Sequence, residues 1–261
     1  MNPDLDALLE DAIAAARLAQ GIHRYYQAKG FSTESKTVLS DLVTEADREA
    51  EAAIRRFLTE RHPGFAFLGE EEGTSGTGEY RWIVDPLDGT VNFAHRFPLY
   101  AVSVALAKGN EVLVGVVLDS AHDELFTAVR GGGAYLNGAR IRVSETEDLR
   151  KSLLATGFPY DVDRVPEAVE YFRRVISLGI PVRRPGAAAL DLAYVAAGRI
   201  DGFWEMKLNP WDVAAGVLLV QEAGGRVTDF EGRPFALESP FIVATNGLVH
   251  EALRTRLFGE M

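Results

Sequence analysis

The chain has 261 residues, 47% of them hydrophobic and 25% charged, a formal net charge of −11 and no cysteine. That composition suits a globular protein long enough for a sizeable core, in one large domain or two lobes. The missing thiols exclude disulfides, thiolate zinc sites and cysteine nucleophiles; the acidic balance argues against a nucleic-acid-binding surface; and no apolar run approaches the ~20 residues of a membrane span. The N-terminal string MNPDLD is acidic and lacks a signal-peptide pattern, so a cytoplasmic protein is expected.

Asn2 and Pro3 read as the N-cap and first-turn proline of a long helix. Its apolar stripe runs through Leu5, Leu8, Leu9, Ala12, Ile13, Ala16, Ile22 and Tyr26, and Gly30 ends it. Residues 31–40 are polar, lack periodicity and read as a mobile loop. A second helix is expected over 44–61, with Ile54, Phe57 and Leu58 inward and His62-Pro63-Gly64 as its stop. A short strand over 65–68 delivers Gly69-Glu70-Glu71-Glu72-Gly73, followed by a flexible stretch over 74–78.

Residues 81–84 read as a strand that breaks at Pro86 into a turn presenting Asp85 and Asp88, with Gly89 and Thr90 next. Two acids three residues apart on a rigid platform can converge on one point, and exposed N–H groups of Gly89 and Thr90 can face an anion. Hard oxygen ligands beside an anion cradle are what Mg²⁺-assisted phosphate chemistry requires. An ordinary acidic turn would use the same residues. Strands over 100–108, 111–118, 124–129 and 140–143, with hairpins at Gly109-Asn110 and Asn137-Gly138, complete an antiparallel sheet flanked by the two helices. Gly131-Gly132-Gly133 reads as a bend and not a phosphate loop, because no Lys-Ser/Thr follows.

Beyond residue 144 the pattern changes. Strands over 152–156, 180–184 and 202–205 alternate with helices over 166–178, 187–197 and 210–222; strands near Val227 and over 242–244 and a helix over 248–257 close the chain. The expected division is an α+β lobe over 1–143 and an α/β lobe over 144–261.

Glu70, Glu71, Asp85, Asp88 and Asp212 stand at strand ends or helix starts, where they could meet as a clamp for two Mg²⁺ ions roughly 3.5–4 Å apart. Asp212 has a simpler explanation as a first-turn acid behind Asn209-Pro210, and Asp47 as the capping-box partner of Thr44. Lys36 reads as solvated. Arg183-Arg184 reads as a strand-end charge pair, with phosphate gripping as the alternative. Trp82, Phe93 and Trp211 read as core.

The strings DLVTEAD (41–47), GEE (69–71), WIVDPLDGTVNF (82–93), GAAALDL (186–192) and WDVAAG (211–216), the last continuing to EAGG (222–225), occur in this order. On them the chain resembles the inositol monophosphatase family, within the Mg²⁺-dependent, Li⁺-sensitive phosphatases, over nearly its whole length. The resemblance implies a five-layer αβαβα sandwich of mixed α+β and α/β character, of the inositol monophosphatase and fructose-1,6-bisphosphatase type. It implies two or three Mg²⁺ ions. Glu70, Asp85 and the Leu87 carbonyl would hold the first, and Asp85, Asp88 and Asp212 the second, with a weaker third near Glu70. Asp47 and Thr90 would orient and deprotonate the attacking water, with Glu70 in the same catalytic set. Backbone N–H groups of Gly89 and Thr90 would hold the phosphate. Asp88, Gly186, Ala187, Ala188 and Glu205 would meet substrate hydroxyls, and Lys36 and Asp41 would lie in a loop that closes over the metals. Ala187 stands where relatives usually carry Ser or Thr, which weakens inositol itself as the preferred substrate.

The implied reaction is hydrolysis of inositol-1-phosphate or a related sugar phosphate by direct in-line attack of water, with lithium inhibition and a homodimeric assembly. No nucleophile with a dedicated base is evident, so no covalent phospho-enzyme is expected. The alternatives are a fructose-1,6-bisphosphatase, a nucleotide 3′-phosphate or histidinol-phosphate phosphatase, or a regulatory protein-binding role in transcription.

Overall fold

The computed structural model describes residues 4–35 and 42–259. The first helix, α1 (Leu5–Lys29), is capped by Asp4, whose carboxylate accepts from the Asp6 and Ala7 N–H groups. The cap is therefore Asp4; Asn2 and Pro3 lie outside the described residues. Part of the segment expected as a loop is instead a ribbon. There β1 (Thr33–Ser35) pairs antiparallel with β2 (Leu42–Thr44), while Lys36 and Asp41 lie outside the described residues. Thr44 then caps α2 (Glu45–Arg61), as the sequence suggested.

The larger sheet is built from β3 (Ala66–Gly69), β4 (Gly73–Ser75), β5 (Tyr80–Asp88), β6 (Ala101–Lys108), β7 (Glu111–Asp119), β8 (Glu124–Val129), β9 (Gly133–Leu136) and β10 (Ala139–Arg140). The short helix α3 (Thr90–Ala94) follows β5. The spatial order is β10-β9-β8-β7-β6-β5-β3-β4, antiparallel except for β3 beside β5. The stretch expected to be flexible over 74–78 contributes to β4. The strand expected over 140–143 is cut short because the Val143 N–H turns away to the Ala223 carbonyl.

The second sheet takes β11 (Leu154–Thr156), β12 (Val182–Arg183), β13 (Gly202–Met206), β14 (Arg226–Thr228) and β15 (Phe241–Thr245), in the order β12-β11-β13-β15-β14. Its first three strands are parallel and the rest antiparallel. Helices α4 (Val165–Ile176), α5 (Ala188–Ala196), α6 (Pro210–Glu222) and α7 (His250–Phe258) complete the chain. The layers run α1/α2, large sheet, α5/α6, small sheet, α4/α7: the five-layer sandwich.

Side-chain parity within this stack aims the site. On β5, Trp82 and Val84 pack toward α1 and α2, while Ile83 packs toward α5 and α6. Successive strand residues alternate, so Asp85 shares the side of Ile83. On β13, Trp204 joins the outer α4/α7 core and Phe203 the central one, so Glu205 also faces the middle layer. Two sheets thus send acids toward the same pair of helices.

Candidate active site

Strand β5 does not end at Pro86; it runs to Asp88 with a bulge. Across from it on β6, Asp85 pairs with Ser103 and Asp88 with Ala101, so three steps on one strand match two on the other. In a regular strand, residues three apart point to opposite faces. The extra residue returns Asp88 to the side of Asp85. Pro86 has no N–H to leave unpaired, and the Leu87 N–H donates to Asp85 Oδ1 at 2.9 Å. A bulge, rather than a turn, makes the acids converge. Gly89 follows at φ 88°, where a Cβ would stand 2.9 Å from the Leu99 carbonyl oxygen.

Each remaining acid is fixed by its own local structure. Asp88 accepts from the Ala188 and Ala189 N–H groups at 3.1 and 2.8 Å, at the start of α5. Asp47 accepts from the Thr44 N–H at 2.8 Å through Oδ2, while its Oδ1 accepts from the Thr90 hydroxyl at 2.9 Å. Asp212 accepts from the Asn209 N–H at 2.6 Å, as the third residue of the α6 capping box. Capping and site chemistry are therefore compatible: Asp47 closes a helix end with one oxygen and faces the site residue Thr90 with the other.

Glu70, Asp85, Leu87, Asp88, Gly89 and Thr90 line one cavity of about 400 Å³ together with Gly186, Ala187, Ala188, Glu205 and Asp212. Asp47 stands behind Thr90, and Glu71 is not part of the lining. The electrostatics follow from burying acids together. Burial, then Glu70, Asp88 and Asp212, hold Asp85 well above the ordinary carboxylate range. Burial raises Asp212 well above that range too, with Glu70 and Asp88 adding to it. Burial pushes Asp88 up to about 7 against the pull of its two α5 N–H bonds. Asp47 is likewise raised to about 7, chiefly by burial. Glu205 rises to about 8 through burial and Asp212, with Arg184 opposing.

A resident metal can be tested against this donor set. Every candidate donor is a carboxylate or carbonyl oxygen, the ligand type Mg²⁺ takes. Carboxylates enclosed together demand a countercharge. The residues present fit Mg²⁺. Among the described residues, no three acidic or histidine side chains already form a single-ion cage, so the acids converge on the cavity without closing.

The site has further members that local sequence signals do not reveal as such. Trp211 packs against the central core as expected and also lines the cavity; Arg183 and Arg184 stand at the end of β12 as expected, and Arg184, though not Arg183, lines the cavity as well. The Asn92 amide donates to the Leu99 and Pro185 carbonyls at 2.7 and 2.9 Å and so ties the segment before α5 to the one before β6. Glu51, on α2, is fully buried and accepts from the Glu71 and Glu72 N–H groups. Only its place on the same helical face as Ile54 and Leu58 hinted at burial.

The stacked layers bring carboxylates from both sheets and from the start of α6 to one cavity, the candidate active site of a mixed α/β protein. The model of the inositol monophosphatase family matches residues 4–260. The Nus factor SuhB of Pseudomonas aeruginosa is 45% identical over 264 residues, covering 98% of this chain and 96% of that one. The inositol-1-monophosphatase of Rhizobium meliloti is 49% identical over 218 residues, covering 82% of each. The crystal structure of extragenic suppressor protein suhB from Bartonella henselae superposes with a TM-score of 0.93 at 40% identity, covering 98% of this chain and 100% of that one. The chain belongs to the inositol monophosphatase family, a family of phosphoric monoester hydrolases.

Proposed function

We propose that the protein hydrolyses the phosphate monoester of a small polyol or sugar, with inositol-1-phosphate the first candidate. The reading is supported above all by one observation: Glu70, Asp85, Asp88 and Asp212 line a single cavity with Thr90, itself hydrogen-bonded to Asp47. Glu70, Asp85, Asp88, Asp212 and the Leu87 carbonyl would hold Mg²⁺, as two ions with a weaker third near Glu70. When bound, the ions supply Lewis acidity and countercharge.

The chain's own residues then have defined tasks. The Thr90 hydroxyl donates to Asp47, so it can accept a proton from water while passing its own on. Asp47, raised to about 7, is a base matched to neutral pH. The water oxygen bonds to phosphorus as the ester P–O bond breaks, the proton passes through Thr90 to Asp47, and the leaving oxygen is protonated from solvent. The N–H groups of Gly89 and Thr90 face the phosphate. Asp88, Glu205 and the backbone of Gly186, Ala187 and Ala188 receive the polyol hydroxyls. Ala187 offers no hydroxyl of its own, which broadens the expected range toward other sugar phosphates.

Lobes meeting near residues 143 and 144, a covering loop with Lys36 and Asp41, a homodimer and a cytoplasmic location belong to the same reading and rest on the sequence and the resemblance. The name of the P. aeruginosa relative supports a second reading, a protein-binding role beside the transcription machinery. A substrate panel with Mg²⁺ separates the two. Turnover of inositol-1-phosphate above fructose-1,6-bisphosphate and nucleotide 3′-phosphates is expected. Metal binding without turnover of any monoester would replace the phosphatase reading with the regulatory one.

A further inference from the structure

We propose that Glu51, a residue of α2 outside the cavity, is a positioning residue that shapes the hairpin carrying Glu70 and thereby sets affinity for the divalent metal. The inference rests on the phosphatase reading above. Strands β3 and β4 join through Glu70, Glu71 and Glu72, with Gly69 paired to Gly73 across the hairpin. Three successive acids in so tight a connection repel one another, and nothing in their own sequence selects which one faces the cavity. The carboxylate of Glu51 supplies the selection. Its Oε2 accepts from the Glu71 N–H at 2.7 Å and its Oε1 from the Glu72 N–H at 2.9 Å. With both following amides pinned on a buried anion, the hairpin keeps one backbone shape, in which Glu70 lines the cavity.

Two neighbours hold the carboxylate in place. Arg55, one turn on, donates from Nη2 to Glu51 Oε1 at 2.8 Å and to the Gly73 carbonyl at 3.1 Å. Its Nη1 donates to Ser75 Oγ at 2.6 Å, its Nε lies 3.2 Å from Glu72 Oε2, and its guanidinium lies over the Phe67 ring. One arginine thus neutralises Glu51, bonds the β4 side of the hairpin and stacks on Phe67 of β3. Gly69 leaves room for this approach, since a Cβ there would lie 2.5 Å from the Glu51 carboxylate. A charge-assisted bond to a backbone N–H is among the stronger hydrogen bonds a protein forms, and outer-shell partners of metal ligands typically govern metal affinity 10- to 100-fold.

The test is Glu51→Gln, which keeps the shape but turns one acceptor into a donor against an N–H group. Mg²⁺ binding measured by calorimetry should weaken about 10- to 100-fold, with kcat recovered at saturating Mg²⁺. Amide exchange at Glu71 and Glu72 should quicken. Gly69→Ala displaces the carboxylate without changing charge and should weaken Mg²⁺ binding in the same way; it carries the test if Glu51→Gln does not fold. Leu58→Ala, a buried change on the same helix away from the hairpin, should leave Mg²⁺ affinity within about twofold. Normal Mg²⁺ affinity in a folded Glu51→Gln or Gly69→Ala protein overturns the inference. A wild-type protein that itself neither binds Mg²⁺ nor turns over monoesters overturns the phosphatase reading instead, so the two failures are distinguishable.

Discussion

His23 gives the most quantitative prediction. It is fully buried, with Nε2 at 3.0 Å from the Pro86 carbonyl and Nδ1 at 2.9 Å from Ser120 Oγ. A carbonyl only accepts, so Nε2 carries the proton and Nδ1 accepts from the Ser120 hydroxyl. Burial lowers the imidazole pKa from 6.5 to about 3, the Pro86 bond opposing. In the unfolded chain the ring takes a proton near pH 6.5; in the folded protein it stays neutral. The unfolded state binds more protons between these limits, so stability is intact above about pH 6.5 and falls as the pH drops toward about 3. At about 1.4 kcal/mol per pH unit, the loss attributable to this ring is roughly 2 kcal/mol at pH 5. Urea unfolding of wild type and His23→Asn in chelator, at about pH 7.5, 6 and 5, measures it. The variant starts less stable, and the gap should shrink by about 2 kcal/mol by pH 5. The raised carboxylates titrate with the opposite sign but are common to both proteins, so they cancel in the difference. A gap unchanged to within about 0.5 kcal/mol would refute the reasoning.

Other outcomes test the site. Thr90→Val keeps the volume but removes the hydroxyl bonded to Asp47, and kcat should fall about 10²- to 10⁴-fold with KM nearly unchanged, read from initial rates. Gly157→Ala would put a Cβ 2.1 Å from the Glu205 carboxylate oxygens, so KM should rise about tenfold while kcat holds within about twofold. LiCl added at fixed, subsaturating Mg²⁺ should lower the hydrolysis rate; a rate unchanged at any lithium level would overturn the lithium inhibition that the resemblance implies.

The helices could be read from the sequence because their signals are local. Thr44 with Asp47 and Asn209 with Pro210 mark helix starts whatever lies around them, and the structure has them there. The Asn137-Gly138 hairpin is equally local, since both residues adopt positive φ. What depended on distant partners could not be read. Residues 101–107 of β6 are buried without alternation because helices cover both faces of the sheet, so periodicity says nothing about which face looks toward the site. The bulge at Pro86 is defined by register against Ser103 and Ala101, and a turn was the natural reading of Asp-Pro-Leu-Asp-Gly alone. The apolarity of Trp211 marks it as core, where it does pack; only the fold shows that α6 also starts at the cavity. Glu51 was hidden most completely. Its partners are backbone amides 20 and 21 residues away, which no side-chain pattern encodes.

If these acids are gathered to hold divalent metal, Asp85→Asn removes the charge at the middle of the cluster and with it the metal. The amide oxygen can keep the Leu87 N–H bond, while the charge that Glu70, Asp88 and Asp212 oppose is removed. Thermal unfolding with and without Mg²⁺, alongside turnover, is the measurement. The metal-free variant should be at least as stable as wild type, gain no stability from Mg²⁺ and be inactive. A variant that Mg²⁺ stabilises as it does wild type, with near-normal turnover, would contradict that role for the acids.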